Sequence, residues 1–104
     1  MSAKTKEKLV LFIDTSNNKK TIVKLGDKEI IKEYDNPREQ KLLELIDKLL
    51  TDTKTKKESI SEILVNLGPG SYTGLRVGCS VANTLAWALG IKVNGKDRVE
   101  PVYN

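Results

Sequence analysis

One ionic side chain in a run of seventeen residues constrains this chain more than any other feature. Between Thr73 and Leu89 the only charge is Arg76, although the sequence as a whole is 31% charged. At helical spacing Leu75, Cys79, Ala82, Leu85, Ala86 and Leu89 fall on one face. Val77, Val81 and Ala88 carry the apolar surface past what one sheet covers, and Trp87 falls in the polar sector with Arg76, Ser80 and Thr84. Gly74, Gly78, Ser80, Ala82, Ala86 and Ala88 are small enough to let a second helix come close. A helix that is apolar nearly all round is buried nearly all round. This one therefore needs cover on two sides, from a partner chain or from another helix and the C-terminal tail of the same chain.

Residues 1–104 are expected to form a single domain, with 1–7 a flexible tail. Lysine and arginine number 18 and aspartate and glutamate 14, a net charge of +4. Lys4, Lys6 and Lys8 against Glu7 supply half of that excess, so charge alone does not argue for nucleic-acid binding. No histidine is present, which excludes His-based zinc sites, Ser-His-Asp triads and Cys-His dyads within this chain. Cys79 is the single cysteine, so no internal disulfide forms and a reducing, cytoplasmic compartment is expected. No apolar run approaches the ~20 residues of a membrane span. Leu9–Ile13 is also too short for a signal-peptide core.

Leu9–Ile13 is an unbroken apolar run that reads as a central strand covered on both faces, stopped by Asp14 and followed by turn chemistry at 15–18. Residues 20–25 and 28–34 read as two further strands around a Gly26-Asp27 turn, completing an antiparallel meander. Asn36 as cap and Pro37 at the first helical position start a helix that runs to about Leu50. Its apolar positions, including Leu42, Leu45, Ile46 and Leu49, span a wider arc than one sheet requires, from a deep seat or a second contact surface. Glu62–Leu67 is a strand, and the long helix follows a glycine-rich turn and ends at Gly90. Ile91–Val93 is a short strand, and Asn94-Gly95 is a hairpin dipeptide from which 98–103 could pair back. The order β-β-β-α-β-α-β predicts an α/β fold: a mixed five-stranded sheet with two helices and a C-terminal hairpin. That is the layout of the ribonuclease H-like lobe of actin-like phosphotransferases.

Two segments are candidates for chemistry. Asp14, Thr15 and Ser16 lie at the carboxyl end of the first strand, where a carboxylate could hold a metal or a metal-bound phosphate. A hard cation needs two or three converging carboxylates, and no other acid falls beside Asp14. The bland reading has Asp14 and Ser16 bonding turn backbone. The second candidate is Gly68, Gly70, Ser71, Thr73 and Gly74, where glycines and a helix start could cradle phosphate. The segment lacks the Gly-Lys-Ser/Thr of a phosphate loop, and its Gly-x-Gly-x-x-x-Gly spacing is not the dinucleotide fingerprint. A tight structural turn is the competing reading. A nucleotide-binding hydrolase using Asp14 and the Gly68–Gly74 loop thus stands as the enzymatic alternative.

The same residues carry a resemblance. Ile13-Asp14-Thr15-Ser16, the run Gly68-Pro69-Gly70-Ser71-Tyr72-Thr73-Gly74-Leu75-Arg76-Val77-Gly78, and Ala86-Trp87-Ala88-Leu89-Gly90-Ile91 are similar to the signature of the TsaB (YeaZ) family. The segment Leu42–Leu50 resembles that family's first helix, and the likeness covers residues 9–93. It implies a non-catalytic accessory subunit of the bacterial system that makes threonylcarbamoyladenosine (t6A) beside the tRNA anticodon. Such proteins have an actin-like ATPase fold with degenerate nucleotide sites. They pair through the two helices of the N-terminal lobe with a TsaD-like catalytic subunit, to which a TsaE-like ATPase is joined, while TsaC makes the activated intermediate. The resemblance places the contact surface on Leu42, Leu45, Ile46, Leu49, Arg76, Val77, Ser80, Val81, Thr84, Trp87 and Ala88. It implies a homodimer in isolation, contact with tRNA only through the complex, and no cofactor or metal, the metal-binding histidines belonging to TsaD. Two departures stand out: the second lobe of the family is expected to be missing, with 94–104 as a divergent extension, and Arg38 stands near a place where a histidine is often found.

Overall fold

Alternation in the first strand sets the architecture. In β1 (Val10–Asn17), Leu11, Ile13 and Thr15 are fully buried while the residues between them are not. The same period of two runs through β2 (Lys20–Leu25), with Thr21, Val23 and Leu25 buried, and β4 (Glu62–Val65), with Ile63 and Val65 buried. With β3 (Lys28–Glu33) and β5 (Lys92–Val93) these strands form one mixed sheet in the order β3-β2-β1-β4-β5. β1 pairs antiparallel with β2 and parallel with β4, and β4 pairs parallel with β5. The computed structural model describes residues 8–35 and 41–102. The tail at 1–7, the Asn36 cap, Pro37, Arg38 and the chain end at 103–104 lie outside the described residues.

Two helices cover the buried side of the sheet. α1 (Leu42–Asp52) packs over β2 and β3, α2 (Tyr72–Leu89) packs over β1, β4 and β5, and the helices touch each other. Leu42, Leu45, Ile46, Leu49 and Leu50 of α1 all enter the core, joined from α2 by Cys79, Ala82 and Ala86. Gly90 closes α2 at φ 69°, where a residue without Cβ accepts the left-handed geometry that lets its N–H reach back to Ala86 and Trp87 carbonyls. This is the expected α/β lobe.

Three expectations are corrected. β1 does not stop at Asp14 but continues to Asn17, because Thr15 is drawn inward by α2. Among the described residues, the sheet is covered on one face only. Phe12 is half-buried, and Ile31 and Leu64, which share its side, are 51% and 40% exposed. An unbroken apolar run does not by itself distinguish two covered faces from one. The third correction concerns the C-terminal hairpin. Asn94-Gly95 makes the turn, with Val93 and Lys96 exchanging both backbone hydrogen bonds at 2.8 and 2.9 Å. Residues 98–102 do not pair back on β5; they run along α2 instead, with Val99 buried.

Candidate functional site

The glycine-rich turn is shaped by how closely α2 lies on the end of β1. Gly70, Gly74 and Gly78 succeed one another at helical spacing and face Ser16 or Thr15. A Cβ on Gly70 would stand 2.6 Å from the Cβ of Ser16. On Gly74 it would run into the Thr15 carbonyl oxygen, and on Gly78 into the Thr15 hydroxyl. The Thr15 hydroxyl donates to the Gly74 carbonyl at 2.5 Å, and the Ser71 N–H donates to the Ser16 carbonyl at 2.7 Å. Ser71 then caps the helix, its hydroxyl accepting from the Gly74 N–H at 3.2 Å. The N–H groups of Ser71 and Gly74 that could face a phosphate are thus bonded inside the chain.

Asp14 is engaged in the same way. Its Oδ1 accepts from the Ser16 N–H at 3.0 Å, the Ser16 hydroxyl at 2.7 Å and the Asn66 amide at 3.2 Å. Asn66 in turn accepts the Gly68 N–H at 2.9 Å, tying the end of β4 to the glycine turn. The structure brings Asp14, Ser16 and the loop together, but through an asparagine where a second metal-binding acid would stand. Among the described residues no group of three histidine, cysteine, aspartate or glutamate side chains could hold a metal ion. Gly68 meets the carbonyl of Val102, whose own N–H donates to the Leu67 carbonyl at 2.7 Å, so the backbone at Val102 closes over the turn.

The outer side of α2 is different. Tyr72, Thr73, Arg76, Ser80, Thr84, Trp87 and Ala88 are all exposed, and Trp87 is 84% exposed. Arg76 lies against Tyr72, its guanidinium donating to the Tyr72 hydroxyl at 2.9 Å. Val77 and Val81 are half-buried at the edge of the core. On the other flank a groove of about 930 Å³ opens between α2 and the segment 97–101, with Ser80, Asn83 and Trp87 on one wall and Arg98 and Glu100 on the other. Asn83 holds that segment in place by donating to the Val99 carbonyl and accepting the Val99 N–H, both at 2.9 Å. Lys92 pairs with Asp97, whose carboxyl that hydrogen bond and the adjacent positive charge hold below its usual range. Burial pushes the Cys79 thiol up.

The expected contact residues therefore separate into two sets. Leu42, Leu45, Ile46 and Leu49 are buried core residues on the sheet-facing side of α1, because the wide apolar arc is a deep seat on β2 and β3. Arg76, Ser80, Thr84, Trp87 and Ala88 are presented outward, with Val77 and Val81 beside them. Sequence reasoning missed Asn83, Val99 and Asn66. An amide in mid-helix on the margin of an apolar face was the available signal for Asn83.

Sheet order, two helices on one face and a strand-turn-helix crossing at the end of β1 define a ribonuclease H-like lobe. Residues 34–97 match the family model described as TsaD, tRNA N6-adenosine threonylcarbamoyltransferase, and the chain belongs to that family, on its TsaB (YeaZ) side. It is 36% identical over 95 residues to the threonylcarbamoyladenosine biosynthesis protein TsaB of Bacillus subtilis, covering 88% of this chain and 42% of that protein. It is 31% identical over 80 residues to TsaB of Escherichia coli, covering 74% of this chain and 35% of that protein. The solved structure of YeaZ from Pseudomonas aeruginosa superposes with a TM-score of 0.72 at 24% identity, covering 84% of this chain and 42% of that one, a likeness of fold. The chain spans less than half the length of these relatives. Among the described residues no helix is long and apolar enough to cross a membrane.

Proposed function

We propose that this chain is a non-catalytic, cytoplasmic interaction lobe for t6A modification of tRNA, docking on a TsaD-like catalytic subunit through the outer side of α2. The observation that carries the reading is the contrast between the two ends of the site. The glycine turn and Asp14 are engaged by internal hydrogen bonds and close packing, whereas Trp87, Arg76, Ser80, Thr84 and Ala88 are exposed along one helix. Tryptophan and arginine are enriched among the side chains that dominate protein–protein binding. Ser80 and Ala88 leave room for a facing helix to come within packing distance.

The two helices meet the equivalent pair of the partner, with α2 making the contact through its exposed side. A TsaE-like ATPase joins that complex, and tRNA is met only through it. Without the partner the same surface pairs with a second copy. Gel filtration with and without a TsaD-like chain tests the reading: co-elution that is lost in Trp87→Ala supports it, and a chain that ignores the partner at micromolar concentration overturns it.

A further inference from the structure

We infer that the outer face of the sheet, on the side away from α1 and α2, is a contact surface for a second copy of this chain, laid sheet on sheet. The inference is separate from the docking reading, because the two surfaces lie on opposite sides of the molecule. One apolar side chain from each of four neighbouring strands forms a row across this face: Ile31, Ile22, Phe12 and Leu64. Ile31 stands opposite Ile22, and Phe12 opposite Leu64, in the strand register. The two ends of the row are exposed, and Ile22 and Phe12 between them are half-buried. A contiguous apolar patch of this kind marks a place where something binds. Lys24 lies over Phe12, its ammonium 6.0 Å from the ring centroid. A lysine stem shields a ring from water but is readily displaced. Residues 1–7 bring Met1 and Ala3 as their only apolar side chains, too little to cover the row.

The charges beside the row match a second copy of the same face. The row is oblique: it steps by two residues between β1 and β2, where Phe12 stands opposite Lys24 and Ile22 opposite Asp14. With strands about 4.8 Å apart and residues about 3.4 Å apart along them, it crosses the sheet about 25° from square. A second copy turned over about the line of the row sets each apolar side chain on its own counterpart and exchanges the two margins. Asp14 and Lys20 stand on one margin, Lys24 and Glu29 on the other. The tilt brings Lys24 of each copy across from Asp14 of the other, and Lys20 across from Glu29. Both pairs form twice around one twofold axis, whereas a square row would have set Lys20 against Lys24. Within one chain Lys24 approaches Glu29 only to 4.0 Å, which leaves it free to engage a second carboxylate. Glu33 and Glu62 fall at outer corners of the face, where water and salt screen them. The overlapped face measures about 20 by 20 Å, about half of the ~800 Å² per partner of a standard interface, so the pairing is weak. Being isologous, it stops at two copies through this face.

Sedimentation of the full chain carrying Trp87→Ala, which takes the outer side of α2 out of the comparison, tests the inference. At several hundred micromolar this chain is expected to dimerise, and adding Ile31→Lys or Leu64→Lys should weaken association at least tenfold. Circular dichroism should be unchanged, since both side chains are exposed. Lys20→Glu or Glu29→Lys, which leave the apolar row intact, set like charges together at both pairs and should each weaken association several-fold. An equimolar mixture of those two variants regains it, because every altered charge then meets its opposite. A Trp87→Ala chain that stays monomeric overturns the proposal, as does unchanged association in Ile31→Lys and Leu64→Lys. A mixture no tighter than its components overturns the twofold pairing on which the proposal stands. Binding of a TsaD-like chain to otherwise wild-type protein should be untouched by Ile31→Lys, so failure of this surface and failure of the docking reading are told apart.

Discussion

The Asn83 side chain treats Val99 as a neighbouring strand would, donating to its carbonyl and accepting its N–H at 2.9 Å each. One amide thereby anchors the segment that banks the groove and buries Val99 against the core. Asn94 does the same at the end of β4, accepting the Val65 N–H at 2.9 Å and donating to its carbonyl at 3.0 Å. Asn83→Ala should cost about 1–2 kcal/mol, since two backbone groups lose their partner. Urea denaturation reads the loss, and amide exchange at Val99 should accelerate far more than at Leu75. Equal protection at Val99 in the variant would contradict the anchoring role.

Close packing of α2 on β1 makes a contrast between two glycines. Gly78→Ala meets the Thr15 hydroxyl, a side-chain group, and Gly74→Ala meets the Thr15 backbone carbonyl. Each substitution alone should destabilise by about 1–3 kcal/mol. In a Thr15→Ala background the cost of Gly78→Ala should shrink, whereas that of Gly74→Ala should not. A double-mutant cycle by thermal or chemical unfolding measures both. Additivity in the Gly78 cycle would show that the close approach is not what requires glycine there.

Asp14 is assigned a structural role. Asp14→Ala should lower stability by about 1–3 kcal/mol, because the Ser16 N–H and hydroxyl and the Asn66 amide lose a charged acceptor. Calorimetric titration with magnesium and ATP should give no binding that depends on this carboxylate. Binding abolished by Asp14→Ala would restore the hydrolase alternative.

Burial raises the Cys79 thiol, so the folded state favours the protonated form. The linked stability is therefore full below the ordinary thiol range of ~8.5 and is lost as pH rises through the folded value. Unfolding midpoints should fall with alkaline pH more steeply in the wild type than in Cys79→Ala, and alkylation should be slow at neutral pH. An equal slope in both proteins would contradict this.

How much was legible follows from which physics each residue obeys. The strand meander, the helix end at Gly90 and the polar sector holding Trp87, Arg76, Ser80 and Thr84 all rest on local periodicity, and the structure has them there. The sequence likeness pointed to the TsaB (YeaZ) side, and the matches agree. What failed depended on contacts distant in sequence. Thr15 reads as a turn residue by type, but 59 positions away the Gly74 carbonyl gives its hydroxyl a buried acceptor and keeps β1 extended. Leu42, Leu45, Ile46 and Leu49 look the same in sequence whether they face a sheet or a partner. Residues 98–102 carry no pattern that names Asn83 as their anchor.

Trp87→Ala separates surface from scaffold. With the indole 84% exposed, folding stability should change by no more than about 0.5 kcal/mol. Affinity for a TsaD-like chain should fall tenfold or more, as truncation of a tryptophan at the centre of an interface does. A variant that unfolds, or binds unchanged, would place the indole in another role.

Trp87 is the only tryptophan, so its fluorescence reports on the outer side of α2 alone. At a concentration low enough to hold the chain monomeric, emission should be that of an indole in water. Titration with a TsaD-like chain should shift it to the blue, saturating at one partner per chain. Binding that leaves the emission unmoved, or no binding at all, would contradict the claim that this helix face is where the protein acts.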